Sequence, residues 1–352
     1  MAAHKYAQSL DVKNGRVDMT HGSGGRAMAQ LIDQLFASAF ANDILGEQND
    51  QARLDVPLIN GKPARLSFST DSFVVSPLFF PGGDIGSLAV HGTVNDVAMA
   101  GAKPLWLSAG FILEEGFPLA DLARIIRSMA EAARACGVTI VTGDTKVVEK
   151  GKADGVFINT SGVGVFDRAR DLSAHKVRAG DAILLSGPIG NHGIAVMAAR
   201  EGLRFEQPVL SDSAPLNGLV AAMLATGAEI HALRDPTRGG LATTLNEIAE
   251  TARVGLRLEE SAIPVEPQVR SVCEILGLDP LYVANEGRLI AFCAERDAAM
   301  LCEAMRKDRY GQGAVIIGRV VEDPHHFVEM RTSLGGNRMV DWLAGEQLPR
   351  IC

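Results

Sequence analysis

Apolar residues recur at helical spacing in some stretches of this chain and in strand-like runs between them. Leu31, Leu35 and Phe36 share one face of a helix expected over Ala27–Phe40. Strand-like material follows at Ala64–Val75, then helices at Asp84–Ala100 and Leu119–Cys136, with strands at Val138–Val141 and Val156–Phe166. A second unit opens on the apolar run Asp181–Ser186, which Gly187-Pro188 ends. It continues through helices near Gly193–Arg200, Ala214–Thr226 and Gly240–Arg253 and closes with strands at Leu289–Ala294 and Val315–Val320. Helix and strand alternate in both units without strict βαβ repeats. The expected fold class is therefore α/β with α+β mixed sheets, helices on one face, rather than a doubly wound sheet.

At 352 residues the chain exceeds a single core, and roughly 100–200 residues per domain suggests two. The expected division is an N-terminal segment with a glycine-rich loop (1–40), an N-terminal domain (41–170), a C-terminal α/β domain (171–332) and a mobile tail (333–352). Ser333-Leu334-Gly335-Gly336-Asn337 reads as a flexible joint. The stretch from Gly336 to Cys352 would reach about 55–60 Å when extended, enough to cross a domain.

Charge narrows the partners. The net charge of −8 is spread over interspersed acidic and basic residues, and no basic run is present, which argues against nucleic acid. The start, Met1-Ala2-Ala3-His4-Lys5-Tyr6, lacks the apolar core of a signal peptide, and no apolar run has membrane-spanning length. A soluble cytoplasmic protein is expected, with no membrane partner. Cys136, Cys273, Cys293 and Cys302 lie in apolar contexts and form no CxxC, as buried thiols in a reducing compartment do.

Cys352 is different because it ends the chain. A terminal thiol has no following backbone to hold it, which suits a carrier of a chemical group, although it could be an accident of where the chain stops. Asp96 falls on the apolar stripe of its helix, where aspartate is rarely buried without a partner; it could also sit at the rim of the core. Asp71 interrupts a strand. Asp144 follows a strand in Thr142-Gly143-Asp144-Thr145-Lys146, where a glycine turn would present Asp144, Thr145 and Lys146 together or simply be a turn. Asp235, in Asp235-Pro236-Thr237-Arg238-Gly239-Gly240, precedes a helix and could be only its cap. Four carboxylates with Lys146 and glycine-rich stretches suit Mg²⁺ and phosphate groups. No GxxxxGK[ST] loop is present, and His21–Gly25 does not match one.

Ser69-Thr70-Asp71-Ser72-Phe73-Val74, Gly92-Thr93-Val94-Asn95-Asp96-Val97-Ala98-Met99-Ala100-Gly101-Ala102, Thr142-Gly143-Asp144-Thr145-Lys146 and Asp235-Pro236-Thr237-Arg238-Gly239-Gly240 resemble the ATP-binding aminoimidazole-ribonucleotide synthetase superfamily. Asn285-Glu286-Gly287-Arg288 and Pro349-Arg350-Ile351-Cys352 resemble its branch of carbamoyl dehydratases in hydrogenase maturation. The likeness runs from about Met19 to the last residue. It implies a two-domain fold of that type with a flexible C-terminal tail, an ATP site between the domains, and a homodimer paired through the N-terminal sheet. It further implies that Asp71, Asp96, Asp144 and Asp235 hold Mg²⁺ and the phosphates. Gly22, Gly24, Gly25, Asn95 and Thr142 would join them at the nucleotide. Lys146, Glu286 and Cys352 would be catalytic.

The implied reaction is ATP-dependent dehydration of a carbamoyl group carried on Cys352. A carbamoyltransferase would load the thiol, and an iron-carrying maturation scaffold would accept the resulting cyanide for a nickel–iron hydrogenase. Without the resemblance, Glu286 reads as a charge paired with Arg288, and Lys146 could be only a phosphate anchor. The alternatives are another ATP-using enzyme of the superfamily, such as selenophosphate synthetase or thiamin-phosphate kinase, and a non-catalytic scaffold. The first cysteine is Cys136, too late for the N-terminal reactive residue that selenophosphate synthetase would want.

Overall fold

The computed structural model describes residues 9–22, 26–46, 52, 54–59, 61–166, 172–203, 205–343 and 350–352. In the first half, α1 (Arg26–Leu31) runs into a wider π-type turn over Ile32–Ala37, so the helix expected over Ala27–Phe40 is not uniform. A short α2 (Asp43–Gly46) and the small hairpin β1–β2 (Leu58–Ile59, Lys62–Pro63) precede β3 (Leu66–Phe73). A second small hairpin, β4–β5 (Phe79–Phe80, Gly83–Asp84), leads into α3 (Ile85–Met99). Then come β6 (Lys103–Glu114), α4 (Leu119–Cys136), β7 (Thr139–Val148) and β8 (Val156–Val165).

Local chemistry explains the helix bounds. Asp84 caps α3 by accepting from the Gly86 and Ser87 amides, while Ser87 Oγ accepts from the Asp84 amide in a capping box. Gly137, in the left-handed region at φ 69°, closes α4. The four large strands pair in the order β3-β8-β6-β7, antiparallel except for β6 with β7. Helices α3 and α4 cover one face, with Leu107, Leu122, Ile125, Ile126 and Met129 among the fully buried side chains. The other face is open, and Phe68 there is 70 % exposed.

Two expectations change here. Gly143-Asp144 is not a turn: β7 runs straight through it, and Gly143 is needed because a Cβ would lie 2.4 Å from the Ala109 carbonyl oxygen. Helix α3 does not have a single apolar stripe either. It is buried almost all round, because the sheet, α4 and the second half of the chain enclose it.

The second half contains β9 (Asp181–Leu185), α5 (Asn191–Arg200), α6 (Asn217–Ala225), β10 (Ile230–Arg234), α7 (Gly240–Ala252) and β11 (Gly255–Glu259). It continues with α8 (Pro267–Leu276), β12 (Ile290–Ala294), α9 (Glu295–Arg306), β13 (Val315–Val321), β14 (Val328–Arg331) and β15 (Asn337–Met339). The seven strands form one mixed sheet, β10-β12-β9-β13-β11-β14-β15. Ile183 and Leu185 of β9 pack with α7 on one face, while Ala182 and Leu184 pack with α6 and α9 on the other. The β10-β12-β9 end of this sheet is covered on both faces, which corrects the one-sided arrangement expected from sequence, while β11 and β13 leave Arg257 and Arg319 exposed on one face. β9 from Ala182 onward and the whole of β12 are apolar for that reason. The glycine-rich stretch read as a joint forms the turn between β14 and β15, with the Thr332 amide donating to the Gly336 carbonyl at 2.7 Å.

The two halves meet along α3. Ala98 and Met99 join the second half's core. Asn95, 1 % exposed, donates through Nδ2 to the carbonyls of Ala214 (3.0 Å) and Glu286 (3.3 Å), and its Oδ1 accepts from the Leu216 amide (2.8 Å). Asn95 was expected at the nucleotide; the structure places it as a tie between the halves. Truncation would strand two buried backbone groups, the Ala214 carbonyl and the Leu216 amide, at about 1–3 kcal/mol for each before relaxation, while the Glu286 carbonyl keeps the Ala214 amide at 3.4 Å. Asn95→Ala should therefore lower the melting temperature strongly in thermal unfolding. Unchanged stability with lost nucleotide binding would instead assign Asn95 to the ligand.

Candidate active site

The end of β3, the C-terminal turns of α3 and the loop after β10 converge, bringing Asp71, Asp96 and Asp235 into one electrostatic cluster. Alternation along β3 turns Ser69, Asp71 and Phe73 toward α3. Ser69 Oγ donates to Asp96 Oδ2 at 2.7 Å, and the Ser72 amide donates to Asp71 Oδ1 at 2.7 Å. Asp235 follows β10 but does not cap α7, whose N-cap is Gly239 at φ 76°. It joins Asp71 and Asp96 electrostatically instead.

Glu286 comes from the loop before β12 and is 3 % exposed. Gly287 next to it has no room for a side chain: a Cβ would sit 1.8 Å from the Asp212 carbonyl oxygen. Asp212 accepts from the Glu286 amide through Oδ1 at 3.3 Å, while its buried Oδ2 has no hydrogen-bond partner and lies 3.6 Å from Arg288 Nε. Arg288 thus faces Asp212 rather than Glu286.

These carboxyls are hard to ionise together. Burial raises Asp71, with the Ser72 amide and Arg238 opposing. Burial also raises Asp96; the Ser69 bond opposes it and the Asp71 charge adds to it. Asp235 is pushed up to about 7 by burial and by Asp96. Glu286 is raised well above the carboxylate range by burial and then by Asp235, Asp212 and Asp71.

The C-terminus lies in the same cleft. Ile351 is 3 % exposed and packs in the first half's core. The Cys352 thiol and the Glu286 carboxyl share a hydrogen bond. Burial raises the thiol pKa well above its usual value, followed by the Glu286 charge, with Arg238 opposing. The other four cysteines are buried and unpaired, as their contexts predict.

Four expected members, Asp144, Lys146, Thr142 and Gly22, lie elsewhere in the chain. Register aligns Ser72, Asn159, Gly110 and Asp144 across the sheet, so Asp144 points to the open face, opposite to Asp71. Asp71 and Asp144 are also three strand spacings apart, about 14 Å. Lys146 shares that open face and pairs loosely with Asp144 at 3.7 Å, both side chains 64 % exposed. Thr142 is aligned with Ser108, Ser161 and Thr70 on the same face. Gly22 packs against Val147, where a Cβ would meet its amide nitrogen at 2.7 Å. Gly24 and Gly25 lie outside the described residues.

Among the described residues no three His, Cys, Asp or Glu side chains already converge as a metal cage. The donors nonetheless suit a hard cation. They are carboxylate oxygens with unrelieved repulsion along a cleft, and Mg²⁺ usually takes one or two carboxylates and completes its shell with phosphates and water.

Comparison with known proteins settles the family. The models for the N-terminal and C-terminal domains of AIR synthase related proteins match residues 48–166 and 178–331. The carbamoyl dehydratase HypE of Azotobacter vinelandii is 64 % identical over 343 residues, covering 97 % of this chain and 99 % of that one. The chain belongs to the HypE carbamoyl dehydratase family. A crystal structure of HypE in complex with ATP superposes with a TM-score of 0.91 at 50 % identity, covering 95 % of this chain and 99 % of that one. A HypE chain from a HypE–HypF complex superposes at 0.77 with 49 % identity, covering 89 % of this chain and 99 % of that one. Among the described residues no helix is long and apolar enough to cross a membrane.

Sequence reading missed Ser69, Asp212 and Arg238 as parts of this HypE-type site, although Ser69 and Arg238 sit inside the quoted motifs. The raised pKa of Asp235 fixes the sign of a pH effect. Between the unfolded value and about 7 the folded state holds a proton that the unfolded chain has lost. Its contribution to stability therefore declines as pH rises through that window. Asp235→Asn should stabilise the ligand-free protein at pH 8, by about 1–3 kcal/mol in unfolding free energy, and so raise its melting temperature. The gain should shrink as pH falls and vanish only near pH 4, at the unfolded value. An equal gain at both pH values would show that ionisation of Asp235 is not its source.

Proposed function

We propose that this protein dehydrates a carbamoyl group carried on Cys352, using ATP, and so makes the cyanide ligand of a nickel–iron hydrogenase. The observation that carries the reading is the placement of the terminal thiol against Glu286, inside a cleft of acidic groups. A carbamoyltransferase loads the thiol outside the cleft, and an iron-carrying scaffold later takes the cyanide. The free thiols suit a reducing cytoplasm.

The balance is Cys352–S–C(=O)–NH₂ plus ATP giving Cys352–S–C≡N, ADP, phosphate and one proton. The carbamoyl oxygen takes the γ-phosphoryl group and leaves with it. Both N–H protons depart, one ending on phosphate. Glu286 is the group beside the sulfur that can receive the first of them. Asp71, Asp96 and Asp235 would hold Mg²⁺, whose positive charge would stabilise the transferred phosphoryl group and lower the proton affinity of the surrounding carboxyls.

Asp144, Lys146 and Thr142 cannot reach this cleft within one chain. A second copy packed open face to open face can bring them there. The exposed Phe68 and Ile112, together with the hydroxyl-rich rows at Thr70 and Ser161, support such a homodimer. Lys146 of one copy then serves the site of the other.

Intact mass and fragmentation of the C-terminal peptide test the chemistry. After incubation with transferase and carbamoyl phosphate, Cys352 should carry a carbamoyl adduct that loses one water when ATP is added. Glu286→Gln should load normally and dehydrate about 10²–10⁴-fold more slowly. An unmodified Cys352 would reject the reading. Mixing Asp71→Asn with Lys146→Ala chains tests the shared site. Each variant alone should be inactive, whereas exchanged dimers should recover about a quarter of wild-type activity, since half are mixed and each has one intact site. Mixtures that stay inactive would place Lys146 outside the shared site.

A further inference from the structure

The tail is held by more than the pocket around Ile351. His192, in the first turn of α5, is fully buried, and its Nε2 lies 2.9 Å from the Ile351 carbonyl oxygen. A carbonyl only accepts, so Nε2 carries the hydrogen and Nδ1 must accept. Ser211 Oγ stands 2.8 Å from Nδ1 as the donor, and itself accepts from the Ser213 amide at 3.0 Å. The Phe80 ring meets the imidazole edge to face, with centroids 5.4 Å apart. The tautomer and the ring plane are both fixed.

At the other end of α5, Arg200 Nη2 donates to the Arg350 carbonyl at 2.8 Å, while its Nε donates to the Ser76 carbonyl at 2.9 Å. The Ser76 amide also donates to the Arg350 carbonyl at 3.2 Å. Arg350 in turn bonds Asp154 through Nη1 at 2.5 Å.

Two consecutive carbonyls are therefore gripped by the two ends of one helix. Each carbonyl belongs to a planar unit that includes the next residue's nitrogen and Cα. Fixing the Arg350 carbonyl sets the plane leading to Ile351, and fixing the Ile351 carbonyl sets the plane from which Cys352 hangs. Few rotations then remain between the protein frame and the sulfur. Both grips read main-chain oxygen, so they are indifferent to what the sulfur carries.

We propose that His192 and Arg200 are positioning residues that clamp the tail so that the group on Cys352 meets Glu286 for dehydration. The proposal rests on the reading of Cys352 as the carrier. Neither side chain exchanges a proton with the reacting atoms. A misplacement of about 1 Å can cost on the order of 10²-fold in rate, which sets the size of effect to expect.

Single-turnover dehydration of the preloaded protein, read by mass, tests the clamp together with iodoacetamide labelling of unloaded Cys352. His192→Ala should load to the wild-type extent but dehydrate about 30–100-fold more slowly, with ATP affinity unchanged. His192→Gln, whose amide can still donate to the Ile351 carbonyl, should recover most of the rate. Arg200→Ala should slow dehydration about 3–10-fold and keep the core intact if His192→Ala does not fold. Both alanine variants should label at Cys352 faster than wild type. Wild-type dehydration and labelling in Arg200→Ala and His192→Ala would overturn the clamp, as would rate losses that only track lost ATP affinity. If wild-type Cys352 never accepts a carbamoyl group, the carrier reading fails instead, and the labelling ratios still decide whether the clamp exists.

Discussion

Carboxyl groups crowded in a cleft that water reaches poorly cannot all ionise. The placement of Asp71, Asp96, Asp235 and Glu286 imposes that constraint, and much of the surrounding structure serves it. Ser69, the Ser72 amide and Arg238 each relieve part of the repulsion. Asn95 holds the Glu286 main chain to α3, so the second half cannot drift away from the Asp71 strand. The interface between the halves is therefore the wall of the acidic cleft. A cation bound there would remove a cost that folding alone leaves in place.

Elements whose pattern has one dominant cause were readable in advance. Helix α4 matches its expected bounds because an amphipathic face and a terminal glycine agree on where it lies. Strand β6 was not expected, since Lys103, Pro104 and the small residues Ser108, Ala109 and Gly110 mask a strand that runs through the middle of a sheet, whereas its partner β8 matches its expected bounds. Helix α3 was found, but its all-round burial was not. That burial comes from three neighbours, and periodicity within one helix reports on none of them. The C-terminal sheet was placed one-sided for a related reason: uninterrupted apolar strands such as β9 and β12 announce burial without saying how many layers supply it.

The site divides along the same line. Asp71 and Asp96 stand out in sequence because an acid interrupts an apolar pattern, Asp235 as a carboxylate ahead of a helix, and Glu286 only through the family likeness; electrostatic proximity follows for all four. Asp144 stood out for the wrong reason. Gly143 marks a close strand approach instead of a turn, and strand alternation then sends Asp144 and Lys146 to the open face. Residues that act through main-chain contacts, such as His192 and Arg200, carry no local sequence signal at all. Only the folded tail reveals what their donors meet.

The same electrostatics couples the chemical state of the sulfur to the position of the tail. Inside the cleft, burial and the Glu286 charge hold Cys352 as a neutral thiol, whereas the thiolate is the form that attacks an electrophile. In the proposed carrier role a thiolate would thus be repelled by the acidic cleft and favoured in solvent, where a partner would load it. The carbamoylated and cyanated sulfurs are neutral, so neither meets that repulsion on entering. Seating by Ile351 and the main-chain clamp can then act on all three neutral forms alike. What discriminates among them is the chemistry at Glu286, and the tail needs no separate signal to bring a loaded sulfur inward.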